Sequence, residues 1–176
     1  MIRITGGKYR SRLLDTPNTS LTKPTMDKVR AAVFSALSQD KLGNVLDLFA
    51  GSGSYGFEAL SRGASSATFV DKSKDAINVI KANAKKLGET SIDVNMTDAI
   101  SYVKETSKKF DAIFIDPPYK LEVYEELVNV ITSRELLNEC GIIVLESEKE
   151  LSLPLEKFSK NKFYKYGLAK IYILRK

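Results

Sequence analysis

Four consecutive residues, Asp116-Pro117-Pro118-Tyr119, carry the most specific chemistry in this chain. Two prolines fix φ and remove two backbone donors. They leave the Pro117 carbonyl and the Asp116 carboxylate as neighbouring acceptors, with the flat ring of Tyr119 alongside. That trio suits an exocyclic amine on a nucleobase, which offers two N–H donors and a π face. An amine conjugated to a ring is a poor nucleophile because its lone pair is delocalised. Accepting both N–H bonds draws the nitrogen toward a tetrahedral shape, localises the lone pair and lets it attack a methyl group in line. The proton leaves afterwards from a cationic amine, so no histidine base is required. The competing reading is a rigid turn with a core tyrosine.

A second constellation lies upstream. Gly51-Ser52-Gly53-Ser54-Tyr55-Gly56 follows an apolar run and opens a helical stretch. Glycines let the backbone approach a ligand closely, and a helix N-terminus presents unpaired N–H groups. The string matches G-x-G-x-x-G, a pattern weak by itself. Asp71 ends the next apolar run, 18 residues after Gly53, where a carboxylate accepts the two hydroxyls of a ribose. The alternative is a tight turn, with Asp71 capping the following helix. Asp47 stands four residues before Gly51. A carboxylate there meets a pyrophosphate unfavourably but suits a ligand with positive charge near the loop, such as the amino group and sulfonium of S-adenosylmethionine. Asp98 follows the third strand, either accepting from an adenine amine or capping the next helix.

Composition narrows the chemistry. The 176 residues contain no His, no Trp and one Cys, Cys140. His-based nucleophilic triads and His-ligated metals are excluded, as are an internal disulfide and a thiolate cluster. We expect no metal, and Cys140 as a small apolar filler before Gly141. No apolar run approaches the roughly 20 residues of a membrane span. The N-terminus lacks a signal-peptide pattern, so the expectation is a soluble, cytoplasmic, monomeric protein. The net charge of +5 is unevenly distributed. Residues 1–30 hold seven basic and two acidic side chains, residues 31–150 hold 13 and 19, and residues 151–176 hold seven and one. Basic ends flanking an acidic middle point to a polyanionic partner.

The elements that must position these groups alternate. Met26, Val29, Val33 and Leu37 share a helical face after Thr25, read as an N-cap. Strands are expected at 45–49, 67–70, 92–95, 110–115 and 142–145, with helices at 54–62, 73–87, 99–104 and 121–131. Strand–helix alternation implies βαβ units in a mostly parallel sheet covered on both faces. The runs 163–166 and 170–174, separated by Gly167-Leu168-Ala169, read as an antiparallel hairpin. Ligands of such sheets bind at the C-terminal ends of the strands, where the unusual residues fall.

These motifs resemble the S-adenosylmethionine-dependent amino-methyltransferases marked by D/N-P-P-Y/F. More closely, the chain is similar to the bacterial small-subunit (16S) ribosomal RNA guanine-N2 methyltransferase family. That family's R-I-x-G-G-x-x-R-x-R-x-L segment is Arg3 to Leu14 here, and its R-P-T-x-D-x-V-R start is Lys23 to Arg30. Its L-D-L-F-A-G-S-G-x-x-G-x-E-A-L-S-R-G-A is Leu46 to Ala64, matched at every fixed position. The departures are Lys23 for Arg, which loses bidentate contacts, and Tyr119 where Phe is common.

The resemblance implies a Rossmann-like class I methyltransferase: three layers and a seven-stranded, mostly parallel sheet ending in an antiparallel hairpin. It implies that Asp47, Phe49, Gly51 and Gly53 face the methionine end of the cofactor, that Asp71 with Lys72 holds the ribose, and that Asp98 with Ala99 meets adenine. Asp116, Pro117, Pro118 and Tyr119 would orient the guanine 2-amino group. Thr25 and Arg30 would line the cofactor or substrate entrance. Residues 1–22 would form a basic RNA-contacting segment ahead of a methyltransferase domain at 23–176. Arg3, Lys8, Arg10, Arg12, Lys23 and Arg30 would meet ribosomal RNA, within a small-subunit particle. Rival readings are an N6-adenine DNA or other amino-methyltransferase, a nicotinamide-dependent redox protein, and a non-catalytic RNA-binding protein. A DNA-specific enzyme lacks room for a target-recognition domain, and redox chemistry leaves Asp47 and the Asp-Pro-Pro-Tyr run unexplained.

Overall fold

The computed structural model describes residues 1–18, 24–118 and 121–176, leaving out the side chains of residues 24–26. Seven strands form one sheet: β3 (Asn44–Leu48), β4 (Ser66–Asp71), β5 (Ile92–Met96), β6 (Phe110–Ile115), β7 (Leu137–Ser147), β8 (Lys160–Tyr166) and β9 (Ala169–Arg175). Their order is β5-β4-β3-β6-β7-β9-β8. β3 to β7 run parallel, while β9 is antiparallel to both β7 and β8. β1 (Ile2–Arg3) and β2 (Leu13–Leu14) form a separate antiparallel pair.

The apolar run of each central strand explains its place, because a parallel sheet covered on both faces needs apolar side chains on both. Val45, Phe114 and Val144 join one core cluster, which also takes Ile2, Ile4 and Leu14 from the N-terminal segment. Leu46, Leu48, Ile113 and Ile115 join the other, beneath α4 (Ala99–Glu105) and α5 (Tyr124–Ser133). α1 (Pro24–Ala36), α2 (Ser54–Ser61) and α3 (Lys74–Leu87) complete the layers. α3 is stopped and started as its sequence dictates. Ser73 accepts from the Ala76 N–H at its start, Lys85 and Lys86 lie in its last turn, and Gly88 follows at φ 69°.

Four expectations change. α1 starts at Pro24, so Thr25 lies inside the helix rather than capping it. Proline suits the first turn, where its missing N–H would go unused. The fifth helix begins at Tyr124 instead of Leu121, whose N–H donates to the Pro118 carbonyl (2.9 Å) outside any helix. β7 runs over 11 residues rather than four. Within it, Leu137 pairs with Phe110 and Ile142 with Ala112, so four β7 residues span a step that takes one on β6. Cys140 sits in this bulge, exposed, at φ 60°, and fills no core space. Among the described residues, no helix is long and apolar enough to cross a membrane.

Candidate active site

From β3 the chain proceeds outward to β4 and β5, then returns to place β6 on the other side of β3. Strand order therefore reverses between β3 and β6, and the loops leaving their C-terminal ends diverge to form a crevice. The glycine loop leaves β3 there, and Asp116-Pro117-Pro118 leaves β6.

The loop is held in unusual backbone geometry. Phe49, Gly51 and Gly53 all have positive φ, at 59°, 54° and 78°. For Phe49 that conformation carries a cost that the surrounding contacts must offset. The Gly53 N–H donates to the Ala50 carbonyl (2.6 Å) and the Phe57 N–H to the Gly53 carbonyl (2.9 Å). A Cβ on Gly53 would sit 2.7 Å from the Phe57 ring, so side chains are excluded where the loop turns into α2. Gly56 does a different job: a Cβ there would collide with the Phe69 ring of β4, so its absence lets α2 lie close on the sheet.

The carboxylates predicted around this loop divide by use. Asp71, half-buried at the end of β4, accepts from the Gly51 N–H (2.9 Å) and the Ser73 N–H (2.8 Å). It thereby ties the glycine loop to the start of α3. Asp47 is 3% exposed and accepts from the Gly56 N–H (2.9 Å). Burial pushes its carboxyl up to about 8; the Gly56 bond and Arg30 oppose this, and Asp71 adds to it. Asp98 is exposed, and its Oδ1 accepts from the Ile100 and Ser101 N–H groups, so it is the N-cap of α4. Ala99, next to it, is buried, Phe49 is half-buried and Lys72 is exposed.

Asp116 is half-buried just past β6. Among the described residues no donor reaches its carboxylate, and its pKa is driven well above the ordinary range, first by burial, then by Glu146 and Asp47. Pro117 is buried and Pro118 exposed. Glu146 is a site residue that motif reasoning missed. It lies near the end of β7, accepts from the Tyr55 hydroxyl (2.6 Å), and burial raises its carboxyl too. Tyr55 is stacked on Phe114 with ring centroids 5.1 Å apart. The available signal was a charged residue closing the apolar run Ile142 to Leu145.

The N-terminal segment is fastened under the loop. Glu58, buried in α2, accepts from the Thr5 N–H (2.8 Å), the Thr5 hydroxyl (2.7 Å), Arg62 Nε (2.8 Å) and Arg30 Nε (3.4 Å), and these bonds lower its pKa against the burial. Asn83, polar on the apolar face of α3, accepts from the Asp15 N–H (2.8 Å) and donates to the carbonyls of Asp15 and Ser52 (3.0 Å each). It links the segment to the glycine loop. Lys8 and the Tyr9 hydroxyl both donate to Glu89 at 2.9 Å.

Arg30 departs from expectation. It is 3% exposed and pairs with Glu58 and Asp27 inside the fold, rather than presenting a free guanidinium to solvent. The reason is the buried charge of Glu58, which needs a cation beside it. Arg3, Lys8, Arg10 and Arg12 are exposed on the N-terminal segment, with Arg12 also donating to the Lys86 carbonyl (3.1 Å). Lys23, Tyr119 and the side chain of Thr25 lie outside the described residues.

A seven-stranded sheet of this order, with the glycine loop and Asp-Pro-Pro run at its reversal point, defines a class I methyltransferase fold. The family model described as conserved hypothetical protein 95 matches residues 2–175. YlbH of Bacillus subtilis (strain 168) is 36% identical over 182 residues, covering 99% of each chain. Ribosomal RNA small subunit methyltransferase D of Escherichia coli (strain K12) is 34% identical over 154 residues, covering 87% of this chain and 78% of its own. The solved structure of yhhF from Escherichia coli superposes with a TM-score of 0.84 at 29% identity, covering 99% of this chain and 97% of that one. The chain belongs to the ribosomal RNA small subunit methyltransferase D family.

Proposed function

We propose that the protein transfers a methyl group from S-adenosylmethionine to the exocyclic N2 amine of a guanine in small-subunit ribosomal RNA. The observation that carries this reading is Asp116, a half-buried carboxylate with no donor from the described residues, at the reversal point beside the glycine loop. A carboxylate taken out of water needs hydrogen bonds, and an amine N–H supplies one. The cofactor fits the same chemistry. Asp47, Asp116 and Glu146 are crowded carboxyls whose proton affinities are all raised, so a cationic ligand relieves them where a pyrophosphate would not. The name of the Escherichia coli relative supports ribosomal RNA as substrate.

In this mechanism S-adenosylmethionine supplies an electrophilic methyl on a sulfonium. The chain does the rest. Gly51 and Gly53 keep side chains out of the loop, and Asp71 offers its remaining lone pairs to the ribose. Asp98 and Ala99 would border the adenine, and Asp47 would balance the positive end of the ligand. Asp116 and the Pro117 carbonyl accept the two N–H bonds of the guanine amine, with Tyr119 against the base. A base within folded RNA must first be extruded, at a cost of roughly a few kcal/mol. Phosphate contacts from Arg3, Lys8, Arg10 and Arg12 offset it.

Mass spectrometry of ribosomal RNA from cells with and without the gene tests the reading. We expect one N2-methylguanosine in small-subunit RNA to vanish on deletion and to return with the wild-type gene but not with Asp116→Ala. Loss of a methyl on adenine instead, or no change, refutes it.

A further inference from the structure

We propose that Glu146, held by Tyr55, is a positioning residue that makes Asp116 a better acceptor for the proton released by the methylated amine. The inference rests on the methyl-transfer reading above. Its geometric basis is the sheet itself. Ile115 of β6 and Leu145 of β7 are register partners in parallel strands. Asp116 is the first residue past the end of β6 and Glu146 the residue after Leu145 within β7. The two acids therefore come off neighbouring strand ends, close enough for each to act on Tyr55 and for Glu146 to act on Asp116. Both leave the sheet on the face that carries Phe114 and Val144, the side of α1 and α2. The Tyr55 hydroxyl donates to Glu146 Oε2 at 2.6 Å, and the Tyr55 ring rests on Phe114, so the carboxylate is pinned in this position. The Tyr124 hydroxyl of α5 also donates to the Glu146 carbonyl (2.8 Å), fixing the backbone from the other layer.

The charges around Glu146 are few and opposed. Asp116 and Glu148, just past the end of β7, repel its negative form, while Arg30 of α1 attracts it. Asp47 of β3 acts on Asp116. On β9 the neighbour in register is Ile171, which is apolar. Two like carboxylates in a partly dehydrated place titrate as one unit, because ionising one makes the second ionisation harder.

The chemistry follows from that coupling. As the N–CH3 bond forms and the S–CH3 bond breaks, the departing sulfide is neutral and the amine nitrogen gains the positive charge. One N–H bond must then break, its electron pair returning to nitrogen and its proton going to an acceptor. An ordinary aspartate, near pKa 3.9, accepts a proton weakly. An anionic Glu146 beside Asp116 strengthens the acceptor that already holds the N–H. The proton later passes to water when the product leaves.

Two measurements test this. Carboxyl carbons of 13C-labelled aspartate are titrated by NMR in the ligand-free protein, comparing wild type, Glu146→Gln and Tyr55→Phe. The Gln side chain keeps an oxygen for Tyr55, so the fold is retained. We expect the Asp116 midpoint to fall by about one pH unit or more in Glu146→Gln. It falls by less in Tyr55→Phe, where Glu146 loses a donor and ionises later. The acidic limb of the methylation pH–rate profile must move in the same direction. An unmoved Asp116 midpoint overturns the coupling. A moved midpoint with an unmoved rate profile overturns the catalytic role and leaves Glu146 a structural tie for α2. A wild-type protein inert on ribosomal RNA, with the NMR shift present, refutes the methyl-transfer reading and with it this use of the pair.

Discussion

Replacing Asp47 by Asn should stabilise the protein while weakening its hold on the cofactor. The Asp47 carboxyl titrates near 3.8 in the unfolded chain and is pushed to about 8 in the fold, chiefly by burial. For an acid with a raised native value, the unfolded state ionises first. Stability is lost progressively as pH rises from about 4 to 8 and is flat beyond. At pH 7 the penalty amounts to about 4 kcal/mol, an upper bound from the separation of the two values. Asn has the same shape, keeps an oxygen for the Gly56 N–H and carries no such penalty. Urea unfolding should show Asp47→Asn to be more stable by 2–4 kcal/mol at pH 7 (roughly, since relaxation trims such values), with the advantage vanishing near pH 4. Binding moves the other way. If Asp47 balances a cationic ligand, S-adenosylhomocysteine, through its ammonium group, should bind at least about tenfold more weakly to the variant. Wild-type binding should release a proton below pH 8, measurable by calorimetry in buffers of different ionisation heat. A pH-independent stability difference refutes the burial argument, and unchanged affinity refutes the assignment of charge to the ligand. This is the trade expected where a site stores unfavourable electrostatics for use in binding.

Three further outcomes follow from the geometry. Gly56→Ala should destabilise by about 1–2 kcal/mol in thermal or urea unfolding, because overpacking against Phe69 outweighs the helix-propensity gain. Glu89 is held at about 2, despite burial, by bonds from the Ser91 N–H, Lys8 and Tyr9. Its contribution is therefore full above about pH 4.5 and lost as pH falls toward 2; Glu89→Gln should cost about 2–3 kcal/mol at pH 7 and little at pH 2. Arg10→Gln with Arg12→Gln should weaken RNA binding and reduce the slope of log affinity against log salt by about one to two; an unchanged slope means that the segment meets no phosphate.

The alternation of apolar runs in the sequence is a direct physical record of the sheet, since a strand buried on both faces admits few polar residues. Asp47 stands out in β3 for that reason. Motif spacing likewise placed the glycine loop and Asp116 at strand ends, because backbone torsions at Gly and Pro are local properties. The sequence leaves Asp71 and Asp98 each open between a ligand contact and a helix cap. The cap of α4 by Asp98 is among those readings, whereas the tie that Asp71 makes between the glycine loop and the start of α3 is not. From the family resemblance, Arg30 is expected to line the cofactor or substrate entrance and to meet RNA. Its burial depends on Glu58, 28 residues away in the chain.

Sequence by itself determined the order of the seven-stranded sheet's strands and helices along the chain and the family, and it singled out Asp116 and Pro117 as candidate acceptors. Tertiary structure alone decided which polar groups are spent on the fold. Asn83 locks the N-terminal segment to the glycine loop and Glu58 locks it to α2, and Glu146 comes near Asp116 only because β7 resumes its pairing with β6 beyond the bulge. Local patterns encode torsions and burial along the chain. The partner of a buried charge is set by which distant strand or helix arrives beside it, and that is a property of packing.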